Sequence, residues 1–177
     1  ILAAITYTEA EYPLVKEAYE AGFTHTAHFY NGMPGFHKCR EYKYEGTVES
    51  VYLVDDMTVE LIADGKHLPA ELLKMIWKLK GSHRVALVTD SLMCAGVDAE
   101  GMVEGTGFLI EDGVCKMPDR SAFQGSIATT DRLLRVAVQE AGIPMEDAVK
   151  MLTQTPANVM GLTTKGFLAE GYDADIL

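Results

Sequence analysis

The sequence has no apolar run of the ~18 residues that a membrane span needs. It also lacks an initiating Met and a signal peptide, and opens on Ile1-Leu2-Ala3-Ala4-Ile5. That opening reads as entry in mid-strand, so the chain is expected to be a piece of a longer protein. Cysteine is scarce. Cys39, Cys94 and Cys115 are odd in number and far apart, without metal-finger spacing, which points to ordinary reduced thiols in a cytoplasmic setting. Positive charge is short as well: Lys+Arg 15 against Asp+Glu 26 gives a formal net charge of −11. A field of that sign opposes nucleic acid and anionic membrane as partners, and admits an anionic small molecule only where cations cluster locally. There is no internal repeat and no low-complexity tract, and 177 residues suffice for one sizeable domain or one with a small appendage.

The chain is organised around Arg84-Val85-Ala86-Leu87-Val88-Thr89-Asp90. Val85 to Val88 is an uninterrupted apolar run, as expected of a strand covered on both faces in a parallel sheet. Before it, Leu72, Met75, Ile76 and Leu79 have the spacing of one helical face within Leu68 to Lys80, and Gly81 can cap that helix. Helix, tight turn and buried strand ending on an acid is how an α/β barrel presents a catalytic group. Asp90 could equally cap the next element.

Earlier in the chain the same unit recurs. Ile1 to Ile5 reads as a strand, and Thr8 with Glu11 forms a capping-box pattern that starts a helix running to Glu20 and stopping at Gly22. Phe23 to His28 is the next strand, with His28 at its carboxyl end and His25 on the opposite face. Residues 29–41 read as an irregular polar and aromatic loop, since Asn31-Gly32 followed by Pro34-Gly35 continues neither helix nor strand. Its Lys38 and Arg40 stand out in an acidic chain, as a binding group or as partners for Glu41 or Glu45. Thr58 to Asp64 is a third strand, running into Gly65-Lys66-His67, where His67 is either a binding residue or a solvated one. Strands alternating with helices at this spacing predict parallel βα units.

Past Gly96 the character changes. Gly107 to Lys116 predicts two short strands joined by Asp112-Gly113, a hairpin belonging to an antiparallel sheet. Phe123-Gln124-Gly125-Ser126 is a turn. Leu133, Leu134, Ala137 and Val138 fit a helix from Thr129 to Ala141, followed by helices over Met145 to Leu152 and from Thr155-Pro156. Residues 165–171 are expected to return as a strand to the small sheet, and residues 173–177 to end inside another.

Six motifs then stand in order: His28-Phe29-Tyr30-Asn31-Gly32-Met33, Arg40-Glu41, Ala63-Asp64-Gly65-Lys66-His67, Val88-Thr89-Asp90, Gly125-Ser126, and a closing Lys165-Gly166 with Gly171-Tyr172-Asp173-Ala174-Asp175. In them the chain resembles the N-acetylglucosamine-6-phosphate deacetylases of the amidohydrolase superfamily. The resemblance implies a (β/α)8 TIM-type metal-dependent hydrolase barrel beside a small β-sandwich. Residues 1–100 would be the second half barrel, strands five to eight, and residues 101–177 a sandwich segment with C-terminal helices packing on the barrel. It implies a divalent metal, zinc or iron(II), that lowers the pKa of a bound water, with Asp90 as the catalytic acid/base and His28 as a metal ligand. Tyr7 stands where the family has a ligand histidine, which implies weakened metal binding, and the family's glutamate ligand falls upstream of Ile1.

By the same resemblance Asn31, Gly32 and Arg40 hold a phosphate, Lys66 and His67 bind substrate, and Phe123, Gln124 and Gly125 line the sugar pocket. The partner is a phosphorylated amino sugar, and the protein a homodimer with a shared phosphate site. Two alternatives stay open: a catalytically weak or inactive phosphosugar-binding relative, favoured by Tyr7, and another amidohydrolase of dihydroorotase-like or urease-like type, whose His-x-His pattern is not found. Four βα units leave open sheet edges, so a chain of this length alone is expected to be stable only when paired with another half barrel.

Overall fold

The computed structural model describes residues 1–96 and 100–176. Four short parallel strands form its first sheet: β1 (Ala4–Ile5), β2 (His25–Thr26), β5 (Thr58–Ile62) and β6 (Val85–Val88), in that spatial order. The longest pairing joins β5 and β6, with Val59 opposite Val85 and Ile62 opposite Val88. α1 (Tyr12–Glu20) connects β1 to β2, and α3 (Ala70–Lys80) connects β5 to β6. One hydrophobic core runs from Ile5 and Val15 through Leu61, Leu73 and Leu87 to Leu133 and Met151. The α/β class and the parallel units are therefore as the alternation of strands and helices predicted. The parallel sheet is open, with β1 and β6 at its edges.

Several boundaries differ from expectation, each for a local reason. The first two strands are shorter than predicted: β1 begins only at Ala4 and ends at Ile5 as expected, while β2 stops at Thr26, ahead of the left-handed His28 (φ 29°). The Thr8–Glu11 capping box does not form. Thr8 Oγ1 accepts the Ala10 N–H at 3.2 Å, and α1 starts later, at Tyr12 with Pro13 in its first turn. Residues 29–41 are not a continuous loop. A hairpin, β3 (His37–Cys39) paired with β4 (Tyr42–Tyr44), emerges from it and turns at Arg40, φ 54°. An unpredicted helix, α2 (Thr47–Leu53), follows, with Glu49 reaching back to the Gly46 N–H at 2.9 Å.

The far end of α2 is held by a buried lysine on α3. Lys80 Nζ donates to the Val51 and Val54 carbonyls at 2.8 and 2.7 Å, placing a cation where a helix exposes unpaired acceptors. Lys80→Met keeps the apolar stem but strands both carbonyls. It is expected to lower the unfolding free energy by about 2 kcal/mol, read as a lower urea midpoint.

The second sheet is antiparallel, with β7 (Gly101–Val103), β8 (Phe108–Glu111), β9 (Val114–Lys116) and β10 (Phe123–Gly125) in the spatial order β10-β9-β8-β7. The β8–β9 hairpin turns on Asp112 (φ 56°) and Gly113 (φ 73°), the double left-handed turn that Asp-Gly predicts. Then come α4 (Thr130–Arg135), a π-helical turn at Val136–Glu140, α5 (Met145–Leu152) and α6 (Gln154–Val159). Thr155 does not cap α6; its hydroxyl is buried and donates to the Ser82 carbonyl at 2.6 Å. Residues 165–171 form turns and no strand. A Cβ on Gly166 would lie 2.8 Å from Gln154 Cα, so the segment packs on the start of α6. Residues 173–176 are likewise not a strand: Lys165 holds Asp173 and Asp175 at 3.0 and 2.6 Å. Residue 177 lies outside the described residues.

Candidate active site

Each parallel strand delivers a chemically active side chain just beyond its carboxyl end. Tyr7 follows β1, His28 and then Asn31-Gly32 follow β2, Asp64 and His67 follow β5, and Asp90 follows β6. Tyr7, His28 and Asp90 (φ 47°) are all left-handed, a conformation that costs a non-glycine residue about 1–2 kcal/mol. Such a residue turns the chain sharply where the strand stops, which suits a site built over the strand ends.

A cavity of about 260 Å³ lies there. Tyr7, Asn31, Gly32, His67 and Asp90 line it on one side, and Ala122 with Phe123 to Gly125 of β10 line it on the other. Of the residues singled out in the sequence, Asp90, Asn31, Gly32, His67, Phe123, Gln124, Gly125 and Tyr7 are thus brought together, while His28, Arg40 and Lys66 are not among the walls. Arg40 is exposed at the tip of the β3–β4 hairpin and forms no ion pair with Glu41 or Glu45. Lys66 is exposed, and its role in the loop is its N–H, given to Asp64 at 2.8 Å.

The two sheets meet at the acid. The Asp90 carbonyl accepts the Ser126 N–H at 3.1 Å, and the Ser126 carbonyl accepts the Leu92 N–H at 2.9 Å, a parallel bridge between the β6 extension and β10. Gly125 makes this approach possible, since a Cβ there would sit 3.0 Å from Leu92 Cγ. The main chain of Asp90 is therefore fixed from both sides while its carboxylate stays exposed.

His67 is held by Asp64, a residue the motif contained but whose role the sequence did not disclose. Asp64 is fully buried, and its carboxylate accepts the Lys66 N–H at 2.8 Å, the His67 N–H at 2.9 Å and the His67 Nδ1 proton at 2.8 Å. Burial alone would raise its pKa; the His67 ring and the two backbone N–H groups outweigh that and hold it below the ordinary carboxylate value. With Nδ1 committed, His67 has only Nε2 left for a ligand. Phe123 packs its ring edge-on to His67 at 5.1 Å, and Arg132 Nε donates to the Asp64 carbonyl at 3.0 Å. An aspartate three residues before a histidine across a glycine turn is the signal from which this pairing could have been read.

Tyr7 and Gly32 are fitted to each other. The Tyr7 ring lies where a Cβ on residue 32 would project, and Gly32 has φ +62°, so the position requires glycine twice over. The same ring lies 4.6 Å from that of His28. His28 Nε2 is 3.1 Å from Thr6 Oγ1, and its Nδ1 is buried without a partner. That orphaned nitrogen is of a type that ligates metals. Among the described residues no three His, Cys, Asp or Glu side chains converge to hold an ion, and the neighbour of His28 is a phenol. Within the described residues this donor set is incomplete for a divalent metal, and what these residues themselves supply is proton transfer by Asp90 and hydrogen bonding by His67, Tyr7, Asn31 and Gln124.

Comparison with known proteins bears on this arrangement. The chain is 32% identical over 176 residues to the N-acetylglucosamine-6-phosphate deacetylase of Lysinibacillus sphaericus, covering 99% of this chain and 44% of that protein. It is 28% identical to the N-acetylgalactosamine-6-phosphate deacetylase of Shewanella sp. (strain ANA-3), covering 98% and 43%. A mutant N-acetyl-D-glucosamine-6-phosphate deacetylase of Mycobacterium smegmatis, solved in complex with N-acetyl-D-glucosamine-6-phosphate, superposes with a TM-score of 0.85 at 29% identity, covering 98% of this chain and 46% of that one. The chain thus spans less than half the length of the relatives it matches. The family model described as "Amidohydrolase family" matches residues 3–177, and the chain belongs to that family.

Proposed function

We propose that the protein hydrolyses the acetamide of an N-acetylated amino-sugar 6-phosphate, releasing acetate and the free amine, with N-acetylglucosamine 6-phosphate as substrate and glucosamine 6-phosphate as product. The observation that carries this reading is Asp90, locked in place at the end of β6 in the same cavity as His67 and the Phe123–Gly125 wall. Its carboxylate takes a proton from the attacking water as oxygen adds to the acetyl carbon. It returns that proton to the nitrogen as the C–N bond breaks, so one group serves as base and then as acid. His67 Nε2, aimed by Asp64, hydrogen-bonds the substrate. The turn at Phe123-Gln124-Gly125 lines the sugar, and the Asn31-Gly32 segment takes the phosphate. Arg40, out on its hairpin, fits a phosphate contact made across a homodimer. In this reading residues 1–100 are strands five to eight of a (β/α)8 barrel, and residues 101–177 are a sandwich segment with helices that pack on it.

A second reading, a phosphosugar-binding relative with little or no turnover, is favoured by one observation: a phenol, Tyr7, stands against the ring of His28. Acetate release from N-acetylglucosamine 6-phosphate and its galacto epimer separates the two, run with zinc, iron(II) or cobalt(II) and with EDTA. Turnover well above that of Asp90→Asn is the expected result. Phosphosugar binding without acetate would establish the second reading instead, and Tyr7→His is then the change expected to raise turnover.

A further inference from the structure

Glu60 binds the chain at the point where β2 gives way to the site. Its main-chain carbonyl accepts the Phe29 N–H at 2.9 Å, and its side-chain Oε2 accepts the His28 N–H at 3.4 Å. The His28 carbonyl in turn accepts the N–H of Asn31, a wall of the cavity, at 3.0 Å. Residues 28 and 29 are therefore both tied to position 60, once through its backbone and once through its carboxylate, and His28 is left-handed there.

What fixes the carboxylate is a buried histidine beneath it. His25 is 1% exposed; its Nε2 is 3.1 Å from Glu60 Oε1 and its Nδ1 is 2.7 Å from Thr58 Oγ1. An ionised carboxylate only accepts, so the ring nitrogen facing Glu60 donates its proton, and the contact with Thr58 on the other side of the ring fixes the ring's orientation. The bond from His25 is the main reason Glu60 is held below the ordinary carboxylate range, against the opposing effect of burial.

We propose that Glu60 is a positioning residue, which, locked by His25, sets the main-chain conformation of His28 and through it the Asn31 wall of the cavity. The kinetic part of this proposal rests on the deacetylase reading; the structural part does not. Glu60→Gln turns one of the two acceptor oxygens into an NH₂ donor, so the His25 ring and the His28 N–H can no longer both be met. Glu60→Asp keeps the charge and withdraws it by one methylene from the His28 N–H.

The test is amide hydrogen exchange at His28 by NMR in the full-length protein, with Ile110 in the antiparallel sheet as reference, alongside kcat and KM for acetate release. In both variants His28 exchange is expected to rise about tenfold relative to Ile110, and kcat to fall about tenfold with KM within about twofold. Unchanged relative exchange at His28 in a folded variant overturns the proposal, as does faster exchange with kcat unaltered. If Glu60→Gln does not fold, Glu60→Asp decides alone. If the native protein releases no acetate, the deacetylase reading fails while the exchange measurement still decides whether Glu60 holds His28.

Discussion

Asp90→Asn is expected to lower kcat for acetate release by about 10²- to 10⁴-fold, the usual contribution of a positioned acid/base, with little change in KM. The substitution isolates that contribution. Asparagine is nearly isosteric and is one of the few residues that tolerate a left-handed backbone, so the φ of 47° at residue 90 survives. The bridge to Ser126 uses the main-chain carbonyl and is untouched by the side chain. The amide can still accept a hydrogen bond from water, but it cannot take the proton or return it to a leaving amine. A kcat within about threefold of the native value would remove Asp90 from the chemistry and leave it the role of terminating β6.

Asp64→Asn is expected to act on both stability and substrate affinity. The native carboxylate satisfies three donors at once from a fully buried position, two backbone N–H groups and the His67 ring. An amide keeps one acceptor and turns an NH₂ group toward the others, so a buried donor faces a donor. That mismatch is expected to lower the unfolding free energy by about 2–4 kcal/mol at neutral pH. It also frees the His67 ring from the orientation that Nδ1 now fixes, so KM should rise several-fold while Asp90 remains in place.

The acid limb of the stability curve gives an independent check. Because the folded-state pKa of Asp64 lies below the ordinary value of 3.8, its stabilisation is fully present above that value and is lost as pH falls through the folded-state pKa. Urea unfolding across this acid range should show a shallower loss of stability in Asp64→Asn than in the native protein. Equal acid slopes would mean that the carboxylate is not the group anchoring His67.

The parts of this fold that were legible in the sequence are those in which one physical signal dominates. Val85 to Val88 is uniformly apolar and forms a buried strand, Gly81 is left-handed and caps α3, and Asp112-Gly113 makes the tight hairpin turn. Residues 37–53 were not legible because their signals are mixed. The β3–β4 hairpin is exposed on every residue and has no buried apolar face, and α2 begins after a glycine with its only cue in Glu49. Residues 165–171 carry strand-like apolar side chains, yet the contact of Gly166 with the start of α6 decides their path.

At the site, the expected gathering of Asp90, His67, Asn31 and the Phe123–Gly125 turn followed from the family resemblance; the strand pattern by itself placed Asp90 and His28 at carboxyl ends and said nothing of a wall from the antiparallel sheet. The supporting groups did not announce themselves. Glu60 acts through the backbone N–H of His28, whose left-handed turn has no glycine to mark it, and Asp64 had only the glycine turn before His67 as its cue.

The contact between Tyr7 and Gly32 also restricts how this sequence can drift. Any side chain at position 32 enters the space of the Tyr7 ring, and the ring can rest there only while position 32 stays bare. Two residues 25 positions apart are thereby bound into one unit of inheritance. A lineage that places a larger residue at 32 must first, or at once, give up the aromatic ring at 7, whereas a lineage that shrinks position 7 releases position 32 to vary within its left-handed backbone.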